Sequence, residues 1–260
     1  MINDSIRKYY TDYYRNALGL PGYECNVQNR LYEDDNSKQL IVSKLSFICG
    51  QIPSGGKVLI VGGGTGAELV AFHSLGFEAW MIEPDKEAVK VARQKSVVNN
   101  IADKYVIDGV AELIPFKNSY FDLIWSFTVL EHVQDYDLSL REICRVMRPG
   151  AWGCLFFPDY RCIYESHYKM YMPLFLPKWV AGLFLRLKGR DPKFFLKNTN
   201  KINHQKFIRT AMDLPIDTFR HYQPVGIEWK SGRTLMMSLA YFMKMYLDIE
   251  YSLSYFIKRK

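Results

Sequence analysis

The chain has 260 residues, 48% hydrophobic and 23% charged, which suffices for one sizeable core with an elaboration and excludes a disordered or collagen-like polymer. Its net charge of +7 is uneven: residues 1–150 carry 16 basic and 19 acidic side chains, residues 151–260 carry 18 and 8. Most of the excess falls in 161–209, where 11 Lys and Arg stand against Glu165 and Asp191, so that stretch favours an anionic partner or a membrane surface.

In chain order, Asp4–Leu18 reads as a helix with Ile6, Tyr9, Tyr10, Tyr13, Tyr14 and Ala17 along one side, and Ser37–Cys49 as a second helix ending at Gly50. Strands and helices then alternate: strand Lys57–Val61, helix Ala67–Leu75, strand Glu78–Ile82, helix Lys86–Asn99, strand Tyr105–Ile107, strand Phe121–Phe127, helix Leu138–Met147 stopped by Arg148-Pro149-Gly150, and strand Trp152–Phe157. Such alternation predicts a parallel sheet with helices on both faces. Beyond it, 158–202 is rich in Pro, aromatics and Lys/Arg and reads as a cap inserted over the carboxyl edge of the sheet. Asn203–Met212 reads as a helix, Ile216–Lys230 as one or two strands, and Arg233–Ile257 as a closing apolar segment. The expected organisation is N-terminal helices (1–56), a nucleoside-binding core (57–157), a cap (158–202) and a C-terminal completion of the fold (203–260).

Cys25, Cys49, Cys144, Cys154 and Cys162 form no C-x-x-C pair, so neither a disulfide framework nor a zinc site is suggested, and a reducing, cytoplasmic setting is expected. The opening MINDSIRKYYTDYY has no apolar h-region, and no uncharged apolar run approaches the ~18 residues of a membrane span.

The most informative segment is Val58-Leu59-Ile60-Val61 running into Gly62-Gly63-Gly64-Thr65-Gly66-Ala67 at the start of a helix. Glycine alone turns this tightly and lets backbone approach a ligand, and the helix N-terminus adds free N–H groups. Glu83 ends the next strand, where an acid can accept both hydroxyls of a ribose. Loop and acid support nucleoside binding; taken alone they also match a nicotinamide dinucleotide site.

The segments that follow resemble the class I S-adenosylmethionine-dependent methyltransferases: Ile82-Glu83-Pro84-Asp85, then Gly109 to Phe116 with Ser119 to Ile124, Val129-Leu130-Glu131-His132-Val133, and Arg145 to Gly150, in order from about 57 to 157. The resemblance implies a Rossmann-like, doubly wound, mostly parallel α/β sheet of seven-stranded type, and S-adenosyl-L-methionine as cofactor. It implies that Gly62, Gly63, Gly64 and Gly66 wrap the methionine portion, that Glu83 holds the ribose, and that Ile82 or Pro84 flanks the adenine. Ala111 and Glu112 fall at the adenine edge and Ser126 near the methionine tail. The chain departs from the family at Ile60 and Val110, where acids are common; Asp108, two residues before Val110, is the candidate substitute. These departures motivate an alternative in which the cofactor binds without turnover; a nicotinamide-dependent oxidoreductase is another.

Methyl transfer to a sugar hydroxyl needs a base, whereas a phenol needs little help. Candidates at the carboxyl edge are Glu131 and His132 after the fourth strand, and Glu165 with His167 in the cap. Each has a structural counterpart reading as a loop anchor. Glu165-x-His167 alone is too short a set of metal ligands. The cap segment also partly resembles that of methyltransferases of polysaccharide and glycolipid pathways, implying a small or carrier-linked acceptor such as a sugar; a quinone or other small molecule is the alternative. Trp179, Val180, Leu183, Phe184 and Leu187 share a helical stripe flanked by Lys178, Arg186 and Lys188. That stripe reads either as the underside of a lid or as peripheral contact, through 170–201, with the inner membrane surface. No RNA-binding module is visible, so nucleic acid is not the expected partner.

Overall fold

The computed structural model describes residues 2–48, 50–172, 174, 176–221, 242, 243, 247, 249 and 252–260. Helices α1 (Ile2–Thr11), α2 (Tyr23–Arg30) and α3 (Glu33–Leu45) precede the alternating region. There follow β1 (Lys57–Val61), α4 (Ala67–Ser74), β2 (Glu78–Glu83), α5 (Lys86–Val98), β3 (Val106–Asp108), β4 (Phe121–Phe127), α6 (Tyr136–Val146) and β5 (Met147–Pro158). The cap holds a short hairpin, β6 (Tyr164–Glu165) and β7 (Met170–Tyr171), then α7 (Lys178–Leu187) and α8 (Lys193–Asn198); α9 (His204–Met212), β8 (Ile216–Arg220) and β9 (Ser252–Arg259) complete the described chain.

Seven strands form one sheet in the order β3-β2-β1-β4-β5-β9-β8. The strands from β3 to β5 run parallel, and β9 lies antiparallel to both β5 and β8. This is the expected Rossmann-like architecture. Central strands such as Val58–Val61 are buried on both faces, which is why they read as continuous apolar runs rather than as alternating ones. Asp85 starts α5 by accepting the amides of Glu87 and Ala88, and Asp135 starts α6 by accepting that of Leu138.

One face of the sheet packs a core that includes Leu59, Ile124, Leu140, Leu155 and Phe207; the other packs Ile41, Ile60, Phe72, Met81 and Trp125. A third core joins the N-terminal helices to the cap, uniting Ile6, Tyr10, Tyr14, Leu18, Tyr168, Leu185 and Phe195. The cap residues Asn198–Ile202 run beside the loop after β4, where the Asn200 amide donates to the Glu131 carbonyl and the Tyr160 amide to that of Ile202. Cap and N-terminal helices thus meet over the carboxyl ends of the parallel strands.

Several boundaries differ from expectation. The first helix stops at Thr11 and continues as a π turn over Asp12–Ala17; α2 was not anticipated; and α3 begins at Glu33, ending in a 3₁₀ turn at Ser46–Ile48. α6 ends at Val146, ahead of Arg148-Pro149-Gly150 as expected, but β5 begins at Met147 and not at Trp152, so the tripeptide lies inside the strand, where register with β4 shifts between Phe121 and Leu123 and Gly150 takes a φ of +80°. The strand expected over 216–230 is described as Ile216–Arg220, and 222–230 lies outside the described residues, as does most of 233–251. Among the described residues no helix is long and apolar enough to cross a membrane.

Candidate active site

The glycine loop is hooked onto β2: the amides of Gly62 and Gly63 both donate to the Ile82 carbonyl, at 2.9 and 3.1 Å. Its glycines serve different needs. A Cβ on Gly62 would fall 2.3 Å from Val129, one on Gly63 2.7 Å from Met81, and one on Gly66 3.1 Å from Ala92. Gly64, at φ +51°, would meet no protein atom within 4 Å, so it opens onto free space. Glu83 faces this loop. One carboxylate oxygen accepts the Gly64 amide at 2.9 Å and the other the Asp85 amide at 3.0 Å. Burial raises its pKa, with Asp85 and Asp108 adding like charge, while the two amides pull it down.

Beside Glu83 lies a cavity of about 390 Å³ lined by residues that include Gly62, Ile82, Pro84, Ala111, Val129 and His132. Glu112 also lines it, with one oxygen accepting the amides of Gln134 and Asp135, which ties the loop after β3 to the loop after β4. Asp108 pairs in register with Glu83 at the strand ends and is exposed. Ser126 is buried at the end of β4, and its hydroxyl has no hydrogen-bond partner. Ile60 points into the core and Val110 is exposed at the cavity rim.

A buried network behind the loop was not legible in the sequence. Glu33 of α3 accepts from Thr65 of the loop, from Tyr10 at 3.1 Å and from Lys95 at 3.2 Å. Arg30 reaches the same carboxylate at 3.3 Å and Asp34 pairs with Lys95 at 2.6 Å. Tyr9 donates to Asp85 at 2.9 Å. The tyrosine-rich helical face carried the only signal; the partners come from three separate segments.

Glu131, His132, Glu165 and His167 come together at the carboxyl edge. The Nε2 atoms of His132 and His167 stand 3.1 Å apart. Nδ1 of His167 lies 2.7 Å from Glu165, whose other oxygen accepts the Tyr168 amide at 2.6 Å. Nδ1 of His132 lies 2.5 Å from the Asn198 carbonyl. Glu131 is fully buried, and neither of its oxygens has a hydrogen-bond partner. Burial raises its pKa to about 7. Burial and the neighbouring His167 lower His132 to about 4; burial would lower His167 as well, but Glu165 and Glu131 carry it upward. Phe194 of α8 packs on both imidazoles, a contact nothing in the sequence announced.

In α7 the buried side is Ala181, Gly182 and Leu185, while Trp179, Leu183 and Leu187 are 71%, 51% and 77% exposed. Of the expected stripe, Trp179, Leu183 and Leu187 therefore point outward, while Val180 and Phe184 are half-buried and Phe184 packs against the core shared with the N-terminal helices.

The profile of the methyltransferase-domain family Methyltransf_11 matches residues 59–155. An uncharacterized Mycobacterium tuberculosis protein is 28% identical over 199 residues, covering 74% of this chain and 67% of the relative. A ubiquinone biosynthesis O-methyltransferase of Xanthomonas axonopodis pv. citri is 30% identical over 130 residues; the match covers 48% of this chain and 54% of that enzyme, about half its length. The crystal structure of the Bacillus subtilis YcgJ protein superposes with a TM-score of 0.57 over 87% of this chain and 98% of that one at 15% identity, a likeness of fold.

Proposed function

Because this chain belongs to the class I S-adenosylmethionine-dependent methyltransferases, we propose that it methylates an oxygen of a small or lipid-carrier-linked acceptor such as a sugar. The cofactor is S-adenosyl-L-methionine, and the residues present fit it. Gly64 opens onto free space, Ser126 offers an unpartnered hydroxyl, and Glu83, flanked in sequence by the cavity-lining Ile82 and Pro84, holds the Gly64 amide. On this reading Gly62–Gly66 and Ser126 receive the methionine end, Glu83 receives the ribose, and Ile82, Pro84 and Ala111 flank the adenine. Glu112 holds the far wall in place, and Asp108 sits at the rim beside Glu83.

The bound donor supplies a methyl group already activated on a sulfonium. What remains for the protein is to align the acceptor and exclude water, which is worth about 7–11 kcal/mol in well-oriented systems. The observation that carries the oxygen reading is the Glu131–His132–His167–Glu165 cluster, its carboxylates buried and its imidazoles half-buried, touching the cavity through His132. A weakly acidic hydroxyl needs help in losing its proton, and four titratable groups gathered at the cavity edge answer that need. His132 faces the cavity; Glu165 orients His167 behind it; Glu131 is the buried carboxyl beside both.

The outward Trp179, Leu183 and Leu187 with the exposed Arg186 and Lys188 support peripheral contact with an anionic membrane, where a lipid-linked acceptor would reside; Lys178 is instead held by the Leu196 and Thr199 carbonyls. A second reading, a quinone-type acceptor, draws on the likeness to the Xanthomonas enzyme. Incubation with the methyl donor and separate panels of nucleotide sugars, lipid-linked sugars and quinols, read as S-adenosylhomocysteine formed, tests both. Turnover confined to quinols overturns the sugar reading, and donor binding without turnover on any panel favours a non-catalytic module.

A further inference from the structure

Two imidazoles whose outer nitrogens are both committed as donors leave a specific problem between them. Nδ1 of His132 faces a backbone carbonyl, which can only accept, so that nitrogen carries hydrogen. Nδ1 of His167 faces the Glu165 carboxylate and donates to it. In the neutral rings both Nε2 atoms then present lone pairs, and these point at one another across 3.1 Å. A positive centre between them resolves the conflict. A single shared proton would do so for the nitrogens but would leave the Glu131 carboxylate, fully buried and without a hydrogen-bond partner, unsatisfied beside them.

We propose that Glu131, His132 and His167 form a binding site for a divalent cation of zinc-like character. The three donor atoms lie within 4.8 Å of one another, and Glu131 Oε1 is 3.8 Å from His132 Nε2. Donors about 2.1 Å from one zinc stand roughly 3–4 Å apart, so the nitrogens are already at ligand spacing and the carboxylate closes by a small side-chain rotation. The donor set is two imidazoles and one carboxylate, which suits zinc and neighbouring first-row ions better than magnesium or calcium. The surroundings match those of metal-bound histidine: Glu165 and the Asn198 carbonyl each hold an outer N–H, fixing tautomer and ring direction. Phe194 covers the imidazoles from the α8 side. Three protein ligands leave a position for an exogenous oxygen, and His132 lines the cavity. A hydroxyl held there releases its proton to solvent more readily than a free one. This last role rests on the methyltransferase reading and deepens it; the site itself does not.

The test uses the full-length protein, freed of metal by chelation and dialysis. Titration with Zn²⁺ alone, followed by calorimetry, is expected to show one saturable equivalent and a raised melting temperature. Co²⁺ is expected to give visible d–d bands of a low-coordinate site, displaced by Zn²⁺. His132→Ala and His167→Ala abolish the equivalent, Glu165→Gln weakens it 10–100-fold, and His73→Ala, outside the cluster, leaves it intact. Absence of a saturable equivalent in the wild type, or an equivalent indifferent to the cluster variants, overturns the site. S-adenosylmethionine binding measured on the same samples keeps the outcomes separate: donor binding without metal binding sinks the cation site alone, and the Co²⁺ spectrum of the wild type decides the matter even where a variant does not fold.

Discussion

Glu83 receives the amide of Gly64 at 2.9 Å, so the acid that ends β2 and the most open glycine of the loop after β1 are already in contact. The same carboxylate must meet the donor's ribose if the proposed site is right. Glu83→Gln keeps the shape but not the charge, and a hydrogen bond to a charged group contributes about 1.5–3 kcal/mol. Donor affinity is expected to fall roughly ten- to a hundredfold by calorimetry, with some loss of melting temperature because the carboxamide NH2 must face either the Gly64 or the Asp85 amide. Equal affinity would remove Glu83 from the site.

The loop glycines separate packing from binding. Gly62→Ala places a Cβ 2.3 Å from Val129 and forces the loop away, so a large fall in thermal stability is expected. Gly64→Ala meets no protein atom and carries only the left-handed backbone penalty of about 1–2 kcal/mol. Its main effect should appear in donor affinity. A Gly64→Ala protein that binds donor normally would show that the open side of the loop is not the ligand side.

Lys95 and Glu33 form a buried pair that ties α5 to α3 and, through Thr65, to the glycine loop. Glu33→Ala leaves the Lys95 ammonium, 3% exposed, with Asp34 as its remaining acid. Loss of about 3–5 kcal/mol is expected, as for removal of one partner of a buried pair, checked by denaturant unfolding. Weakened donor binding should accompany it, because Thr65 loses its anchor.

Glu131 has a pKa raised to about 7 from an ordinary 4.5. Between these values the unfolded chain releases the proton while the folded protein retains it. Its contribution is therefore fully present below about pH 4.5 and lost as pH rises towards about 7, on the order of 3 kcal/mol in all. His132, lowered to about 4, works in the opposite direction over nearly the same window, since its neutral form is favoured by folding. The difference in stability between wild type and Glu131→Gln isolates the first contribution. Measured without metal, that difference should shift against the wild type between pH 4.5 and 7; a flat difference would mean the carboxyl is ionised throughout.

Trp179, Leu183 and Leu187 are expected to govern attachment to anionic vesicles. Changing all three to Ala should abolish flotation with vesicles containing acidic phospholipid, while leaving the fold intact because none of them is buried. Flotation that persists would assign any attachment to the lysines and arginines alone.

Much of the core was readable because each element between Lys57 and Phe157 has its own local punctuation. Strands buried on both faces show as apolar runs, glycines mark the turns between them, and Glu83 stands at a fixed spacing from Gly62. The reading failed where local signals compete. Pro149 and Gly150 follow the end of α6 as read, but they also hid the start of β5, which takes them in through a change of register. In α7 the fully buried positions are Ala181, Gly182 and Leu185, and the stripe that periodicity selects is divided, with Val180 and Phe184 half-buried. Gly182 approaches Leu196 so closely that a Cβ would lie 3.1 Å away, and Trp179, Leu183 and Leu187 are turned outward.

The amino-acid order alone thus determined the parallel part of the sheet, the glycine loop and the acid beside it, but not the antiparallel β9, which lies where only a closing apolar segment was read. Tertiary structure decided which distant groups share one dry volume. His132 and His167 are 35 positions apart and meet at 3.1 Å; Thr65 and Glu33 are 32 apart, and the Thr65 hydroxyl donates to the Glu33 carboxylate. No periodicity encodes such pairings. They arise because the cap and the N-terminal helices bury their apolar faces against each other, and the polar groups carried with them must find partners where that burial leaves them.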